Sequence, residues 1–287
     1  MTGRAELLAW FEGRRRAYPW RGTRDPYRVL VSEVMLQQTQ AARVVAAYRT
    51  FVRRFPTVRA LARAPRSEVV RAWGTLGYNR RAVALSEAAR LIVRDHDGSV
   101  PADPAVLVRL PGIGPYTAAA VASLGHGVPV PAIDTNVRRV VRRARLGRDD
   151  VRRDEVDGAA AAWLDRRDPA SWNQALMDVG REACRPAPRC GACPLARMCR
   201  FRATEATPSR RARRQGPFEG SFRQLRGAVI RELRGVGAAT VGTLAARLGR
   251  SAAEVASAVR PLVSEGLVGA GPAALAGRPT GRVRLAP

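Results

Sequence analysis

The sequence predicts a mainly α-helical protein with a small mixed module at its C-terminal end. Through the first 200 residues, apolar side chains recur at helical spacing, glycine and proline separate these stretches, and strand-like alternation is missing. An amphipathic helix begins within Met1–Arg16. The other predicted helices of this part are Tyr27–Leu36, Ala41–Phe55, Ser67–Trp73, Arg80–Arg94, Pro104–Arg109, Thr117–Ser123, Asn136–Leu146 and Ser171–Glu182.

The character of the chain changes after Cys199. Residues 203–216 combine Thr-Pro-Ser with four arginines, which is typical of a flexible basic linker. Beyond it, three helices and a β-hairpin are predicted, and together they indicate a winged-helix-like module. The helices are Phe222–Leu233, Val241–Leu248 and Ala252–Ser264, and the hairpin strands are Leu267–Gly269 and Val283–Leu285.

The charge of the chain indicates its partner. The 287 residues include 50 arginines, no lysine and 24 acidic residues, for a net charge of +26. The excess is +16 over residues 1–200 and +10 over residues 201–287. A compositional bias toward arginine explains why arginine replaces lysine, but it does not explain why basic residues are twice as numerous as acidic ones. We therefore expect a nucleic acid as the partner.

Two classes of protein are disfavoured by what the sequence lacks. No apolar run is long enough to span a bilayer and no secretory segment is visible, so we expect a cytoplasmic protein without membrane contact and with reduced cysteines. Because there is no lysine, no side-chain amine can form a Schiff base with an opened sugar.

The segment Leu110–Thr117, Leu-Pro-Gly-Ile-Gly-Pro-Tyr-Thr, predicts a hairpin between two helices. Gly112 and Gly114 allow backbone geometry that other residues resist, and they let main-chain N–H groups approach an anion beside the next helix N-terminus. This pattern fits either a DNA phosphate site or a plain tight turn. Seventeen residues later, Asp134 stands at the start of another helix.

All four cysteines lie within sixteen residues, at Cys184, Cys190, Cys193 and Cys199. In a reduced compartment, such clustering indicates a metal site. Four thiolates can bind zinc or a [4Fe–4S] cluster. Structural zinc sites usually use two Cys-x-x-Cys pairs, whereas this chain has one, so the spacing favours the iron–sulfur cluster over zinc and leaves free cysteines as the third alternative.

Several motifs together are similar to those of one family. In order along residues 1–200, they resemble the adenine DNA glycosylase (MutY) family of the helix–hairpin–helix superfamily, which includes endonuclease III. The motifs are Tyr18-Pro-Trp-Arg21, Val31-Ser-Glu-Val-Met-Leu-Gln-Gln-Thr-Gln40, Gly77-Tyr78, Leu110–Thr117, Ile133–Asn136, Trp172-Asn-Gln-Ala175 and the cysteine cluster.

The resemblance implies a helix–hairpin–helix glycosylase fold with a [4Fe–4S] cluster loop. It also implies excision of adenine mispaired with 8-oxoguanine or guanine in double-stranded DNA. The chain departs from the family pattern in its shorter first cysteine gap and in Thr135, which replaces the usual glycine. The family's C-terminal Nudix-like domain is not expected, because the last 87 residues are too few and too helical.

Base excision needs an acid that improves the leaving group and a negative charge that stabilises the oxocarbenium-like sugar. Glu33 lies in an apolar run, where burial would raise its pKa and keep it protonated. The pattern alone more often describes a glutamate on the wet edge of an amphipathic helix. The resemblance implies that Glu33 is the acid that protonates adenine N7.

Asp134 precedes a helix, where it would cap the N-terminus. The resemblance implies that Asp134 stabilises the cationic sugar and helps deliver water, and that Asn136 orients the site. Tyr116 occupies the position where endonuclease III-like lyases carry their catalytic lysine, which implies a glycosylase without lyase activity.

The remaining site residues are also implied by the resemblance. The target base must be flipped out of the duplex, and three residues would probe the opened stack. These residues are Leu36, Gln37 and Gln38, and the adenine-pocket residues are Trp20, Arg21 and Gln174. For each of these, ordinary packing or a polar helix end is the alternative.

These interpretations predict four parts and a monomer: an iron–sulfur cluster domain (1–20 and 136–202), a helical barrel domain with the hairpin (21–135), a basic linker (203–216) and a winged-helix-like domain (217–287). Two other functions stay open. One is excision of another base, such as thymine or uracil opposite guanine. The other is a non-catalytic iron–sulfur regulator that binds DNA, although the presence of both Glu33 and Asp134 argues against it.

Overall fold

A computed structural model describes residues 3–14, 17–204 and 217–287 of the chain. The described residues divide into two compact units: the first contains those up to 34 and from 100 to 204, and the second contains 35–99 and 217–287. The predicted basic linker falls mostly on residues 205–216, which lie outside the described residues. The predicted domain boundaries stay a prediction.

The predicted mainly helical fold is confirmed. Before residue 205, the α-helices are α1 (Arg4–Arg14), α2 (Pro26–Leu36), α3 (Ala41–Arg54), α4 (Val58–Arg63), α5 (Arg66–Ala72), α6 (Arg80–Asp95), α7 (Pro104–Leu107), α8 (Pro115–Ala120), α9 (Thr135–Val141), α10 (Arg153–Trp163), α11 (Pro169–Glu182) and α12 (Arg200–Ala203). Among these residues, no helix has the length and apolar character needed to cross a membrane, and the same holds for residues 217–287.

Most differences between predicted and observed helices have a local cause. α4 was not predicted, because it lies between Pro56 and Pro65 and spans six residues; the Thr57 side chain caps it by accepting from the Ala60 amide at 3.1 Å. α10 was missed because its alanine run gives little periodicity. α8 and α9 continue as π-helical turns over Val121–Gly125 and Arg142–Leu146.

The core of the first unit is formed by α1, α9, α10 and α11. Trp163 and Trp172 meet edge to face within it, with ring centroids 5.2 Å apart. α11 packs close to α9 at Gly180, where an added Cβ would lie 2.6 Å from the Cβ of Asn136. The missing side chain at Gly180 therefore lets α11 support the start of α9.

The C-terminal module contains four helices and three short strands. They are α13 (Phe222–Val236), β1 (Ala238–Thr240), α14 (Val241–Leu248), α15 (Ala252–Ser264), β2 (Val268–Ala270), α16 (Pro272–Leu275) and β3 (Arg282–Leu285). The strands form an antiparallel sheet in the order β1-β3-β2. The predicted hairpin of β2 and β3 is confirmed, and β1 is an addition that its Ala-Ala-Thr sequence did not reveal.

Caps account for the agreement at the helix starts of this module. The side chains of Ser221, Thr240 and Ser251 each accept from a backbone amide in the first turn of α13, α14 and α15. Within the second unit, the apolar face of the module packs on Val70 of α5 and Val83 of α6. Arg234 is half-buried there; it donates to the Val70 carbonyl at 3.0 Å and to Asn79 Oδ1 at 2.6 Å.

The contact at Gly180 predicts a large effect from one methyl group. Gly180→Ala should lower the free energy of unfolding by about 1–3 kcal/mol, because the new Cβ meets Asn136 and its backbone. Gly158→Ala is the matched control: Gly158 is exposed in α10, and a Cβ there meets nothing within 4 Å. The free energy of unfolding of that variant should rise by about 0.5–1 kcal/mol, because alanine is favoured over glycine inside a helix. Urea unfolding measures both, and equal effects would contradict the proposed close packing.

Candidate active site

Glu33 is a buried carboxyl group on α2. Its side chain is 5% exposed, and its helix also buries Val29, Leu30 and Val34. Ser32 is buried as well and donates its hydroxyl to the Val29 carbonyl at 2.8 Å. The alternative of a glutamate on the wet edge of the helix is therefore wrong.

The contact partner of Glu33 is Tyr116, in the first turn of α8. The Tyr116 hydroxyl donates to Glu33 Oε2 at 2.8 Å and lies 3.6 Å from the sulfur of Met177. Burial raises the pKa of Glu33 to about 7, with a smaller upward effect from Asp134, while the Tyr116 hydrogen bond and Arg21 lower it. The pKa of Tyr116 is raised well above its usual value by burial and by the neighbouring Glu33.

Asp134 is the N-cap residue of α9, as its position in the sequence predicted. Its Oδ1 accepts from the Val137 amide at 2.6 Å, and its Oδ2 accepts from Asn136 Nδ2 at 2.9 Å. Thr135 stands between these two residues without preventing the cap. Both carboxylate oxygens of Asp134 are therefore held by donors from its own helix.

Arg139 extends this arrangement and was not found from the sequence. Its guanidinium donates to Asn136 Oδ1 at 2.9 Å, to the Gly180 carbonyl at 2.6 Å and to the Cys184 carbonyl at 2.5 Å. Burial lowers the pKa of Arg139. One side chain thus links the start of α9 to the end of α11 and to the first cysteine.

Asn173 is a second residue that the sequence did not single out by itself. It is fully buried, accepts from the Ala132 amide at 2.9 Å, and donates to Ser123 Oγ at 2.7 Å and to the Val130 carbonyl at 2.9 Å. These bonds hold the irregular segment that leads to Asp134. Its place beside Gln174 in the Trp172-Asn-Gln-Ala175 motif is the signal that could have identified it.

The predicted pocket residues differ in their surroundings. Arg21 forms a two-pronged ion pair with Asp178, with N–O distances of 2.7 and 2.6 Å, and Asp178 also pairs with Arg181 at 2.8 Å. Trp20 is 7% exposed and stacks on Tyr18 at 5.0 Å. Gln174 is half-buried on α11. Asp178, which orients Arg21, was also missed by the sequence.

The hairpin corrects one expectation. Gly112 has a φ of +75°, as a turn glycine requires. Gly114 instead has a φ of −88° and a ψ of 174°, and an added Cβ there would meet nothing within 4 Å. The prediction that Gly114 allows geometry denied to other residues is wrong, because it is simply the extended residue before α8. That helix begins at Pro115, two residues before the predicted start.

Leu36, Gln37 and Gln38 end α2 and form the turn after it, in the second unit. Arg81 holds this turn by donating to the carbonyls of Met35 and Gln37 and, at 3.0 Å, to Thr39 Oγ1. Its guanidinium also lies 5.4 Å from the ring centroids of Trp73 and Tyr78.

Backbone geometry marks the same turn and the loop beside Arg81. Gln38 and Tyr78 both have positive φ values, of 53° and 45°. Such values are uncommon for residues other than glycine. The Tyr78 ring is nevertheless half exposed. Arg81 therefore stabilises two unusual backbone positions at once.

The four cysteines are free and half-buried. Three of them, Cys184, Cys193 and Cys199, pack against the core of the first unit. Burial raises the pKa of Cys193 to about 11, and the other three thiols add to the effect, so all four lie close enough to interact. Within the described residues, no three His, Cys, Asp or Glu side chains are grouped as ligands of a single metal ion.

Comparisons with known proteins agree with the motifs. The family model of the HhH-GPD superfamily base excision DNA repair proteins matches residues 31–166. An adenine DNA glycosylase of Mycobacterium tuberculosis is 47% identical over 237 residues, which cover 79% of this chain and 77% of that protein. The human adenine DNA glycosylase is 38% identical over 213 residues, covering 69% of this chain and 39% of that protein.

Solved structures are similar over the same part of the chain. A thermostable thymine-DNA glycosylase matches with a TM-score of 0.64 and 30% identity, covering 70% of this chain and 94% of that one. A non-covalent endonuclease III–DNA complex matches with a TM-score of 0.59 and 26% identity over the same shares. Because the mycobacterial adenine DNA glycosylase is 47% identical and its match covers 79% of this chain, the chain belongs to the adenine DNA glycosylase (MutY) family, within the HhH-GPD superfamily of base excision DNA repair proteins.

Proposed function

We propose that the protein is a monofunctional DNA glycosylase that hydrolyses the N-glycosidic bond of adenine mispaired with 8-oxoguanine or guanine. The observation that carries this proposal is the buried Glu33 carboxyl, hydrogen-bonded to Tyr116, in the same unit as the helix-capping Asp134. Family membership supports the reaction class, and this pair of carboxyl groups supports the division of labour.

Glu33 is the proposed general acid. With its pKa raised to about 7, a large fraction of the carboxyl keeps its proton near neutral pH. Transfer of that proton to adenine N7 turns a poor leaving group into a neutral purine. The hydroxyl of Tyr116 holds one oxygen of Glu33, which fixes the direction in which the carboxyl points.

Asp134 is the proposed stabiliser of the sugar cation and the group that orients the attacking water. Its two oxygens are held by the Val137 amide and by Asn136, so the carboxylate does not have to reorganise as charge develops. Asn136 is in turn held by Arg139. In this role Asn136 and Arg139 are positioning residues.

The lack of lyase activity follows from the available nucleophiles. A lyase step requires an amine that forms a Schiff base with the opened sugar, and the chain has no lysine. Tyr116 is a poor substitute, because burial raises its pKa and its hydroxyl is donated to Glu33. Water is therefore the proposed nucleophile, and the product is an intact strand with an abasic site.

DNA contacts are proposed for the other predicted residues. Gly112 and Gly114 would receive a backbone phosphate at the N-terminus of α8, and the turn held by Arg81 would fill the space left by the flipped base. Adenine specificity would come from Trp20, Arg21 and Gln174. The net charge of +26 supports binding to double-stranded DNA.

Cys184, Cys190, Cys193 and Cys199 are the proposed ligands of a [4Fe–4S] cluster. Four interacting thiols on one loop, with Arg139 and the buried Arg143 beside Cys184, fit a group that carries negative charge with its ligands. When bound, the cluster would crosslink residues 184–199 through four iron–sulfur bonds. No step of base excision is assigned to it.

A second candidate is excision of thymine or uracil opposite guanine. This candidate is supported by the 30% identity between this chain and a thymine-DNA glycosylase of known structure. The higher identity to adenine DNA glycosylases favours adenine.

The substrate is tested with duplexes that contain A opposite 8-oxoguanine, A opposite G, T opposite G and U opposite G. We expect alkali-labile sites from both adenine duplexes and no strand cleavage before alkali treatment. Release of thymine or uracil alone would establish the second candidate, and release of no adenine would overturn the proposal.

The role of Asp134 has a matched control in the same unit. Asp134→Asn should reduce adenine release by at least about 10²-fold while DNA binding persists, because asparagine still caps α9 but carries no charge. Asp168→Asn changes another helix-capping aspartate, at the start of α11, and should keep the wild-type rate. Equal rates in the two variants would remove Asp134 from its proposed role.

The raised pKa of Glu33 predicts how stability and activity depend on pH. An acid with a folded-state pKa of about 7 and a usual value of 4.5 binds more protons when folded, so it reduces stability as pH rises through this window. Relative to that of wild type, the free energy of unfolding of Glu33→Gln should rise by about 3 kcal/mol between pH 4.5 and pH 7.5.

Urea unfolding across this range measures the effect, and Glu12→Gln, at an exposed position of α1, should shift little. Single-turnover adenine release by wild type should also fall above about pH 7. A flat pH profile in both experiments would contradict the buried-acid role.

Iron content tests the metal centre. Protein purified without oxygen should be brown and contain about four iron atoms per chain with little zinc. Cys193→Ser should lower the iron content and the visible absorbance, and zinc in place of iron would overturn the assignment.

A further inference from the structure

The outer face of the C-terminal sheet carries two arginines on its central strand. Along β3, Val283 and Leu285 enter the core of the module, while Arg282 and Arg284 are exposed. β1 and β2 flank β3 on either side. The two guanidinium groups therefore come from the middle of the sheet and not from its edge.

The residues beside these arginines are small. Arg284 lies between Ala238 on β1 and Gly269 on β2, and Arg282 lies opposite Thr240. A Cβ at Gly269 would be 3.5 Å from Nε of Arg284, so the arginine side chain lies across the glycine. No large side chain stands directly opposite either arginine, which leaves both accessible to an extended surface.

The charge on this face is not compensated. The module has ten arginines and four glutamates between residues 217 and 287. Three of the glutamates are paired elsewhere: Glu232 with Arg247, Glu254 with Arg250 and Glu265 with Arg226. Arg282, Arg284 and the exposed Arg278 of the β2–β3 connection make no ion pair or side-chain hydrogen bond with any described residue.

The helix that would enter a DNA groove in a helix-turn-helix arrangement is α15, and it lacks such charge. Its exposed positions include Ala253, Glu254 and Ser264. Its one arginine, Arg260, donates to the Leu275 carbonyl at 2.9 Å. The unpaired arginines of the sheet and the β2–β3 connection therefore lie outside this helix.

We propose that the exposed sheet face formed by Arg282 and Arg284, together with Arg278, binds the phosphate backbone of duplex DNA. Guanidinium groups pair well with phosphate oxygens, and phosphate contacts carry no sequence information, so we expect binding through this face to be independent of sequence. This DNA contact does not depend on which base the first unit excises.

The experiment measures the salt dependence of binding to undamaged duplexes of about 30 base pairs, using the full-length protein. In Arg282→Gln/Arg284→Gln, two phosphate contacts are lost, and the slope of log K against log salt should decrease in magnitude by about 1.8. Arg247→Gln/Arg250→Gln removes the same charge from α14 and the loop after it, where both arginines are paired, and its slope should stay close to wild type. Fluorescence anisotropy gives the affinities, and circular dichroism melts check folding.

The outcomes distinguish an effect of net charge from an effect of the position of the arginines. Equal changes in the two double variants would mean that only net charge matters and would overturn the proposal, as would an unchanged slope in Arg282→Gln/Arg284→Gln. A loss of affinity in Arg260→Gln that exceeds the loss in Arg282→Gln/Arg284→Gln would assign binding to α15 instead. Two duplexes of unrelated sequence should give the same slopes, and adenine release is not a readout, so failure here leaves the proposed catalytic function untouched.

Discussion

The buried hydrogen bond between Tyr116 and Glu33 is the interaction on which the candidate site depends. An ionised carboxyl is costly to bury, so its pKa rises until the neutral form is populated near pH 7. The tyrosine donates to that carboxyl and opposes part of this rise, as does Arg21. The result is a carboxylic acid whose pKa is close to neutral pH. Burial raises this pKa, and Tyr116 and Arg21 each lower it by a smaller amount.

Asp134 is constrained in a different way, through the start of α9. Gly180 lets α11 approach Asn136 closely, Arg139 links Asn136 to the backbone of α11, and Asn173 holds the segment before Asp134. Two of these three contacts come from α11 itself. Because this helix also carries Asp178, which orients Arg21, its placement decides the surroundings of several site residues.

Sequence patterns located elements best where capping and periodicity agreed. α14 and α15 were predicted with their observed bounds, because Thr240 and Ser251 cap them and a glycine with positive φ, Gly249 or Gly266, follows each within two residues. α10 and β1 were missed, since alanine runs and three-residue strands carry little pattern. Gly114 shows the limit of motif reasoning: a glycine in a Gly-x-Gly motif has ordinary backbone angles, and only Gly112 requires the positive φ.

The sequence alone determined the helical class, the charge, the absence of lysine, and the motif positions of Glu33, Asp134 and the four cysteines, because these follow from residue identity and spacing. The tertiary structure decided whether Glu33 was buried or exposed, which side chain contacted it, and which carboxylate oriented Arg21. These properties depend on atoms far apart in the chain: Tyr116 is 83 residues from Glu33, and Asp178 is 157 residues from Arg21. Local sequence patterns cannot predict such contacts, because the burial and the pKa of a side chain are set by the residues of other helices that pack against it.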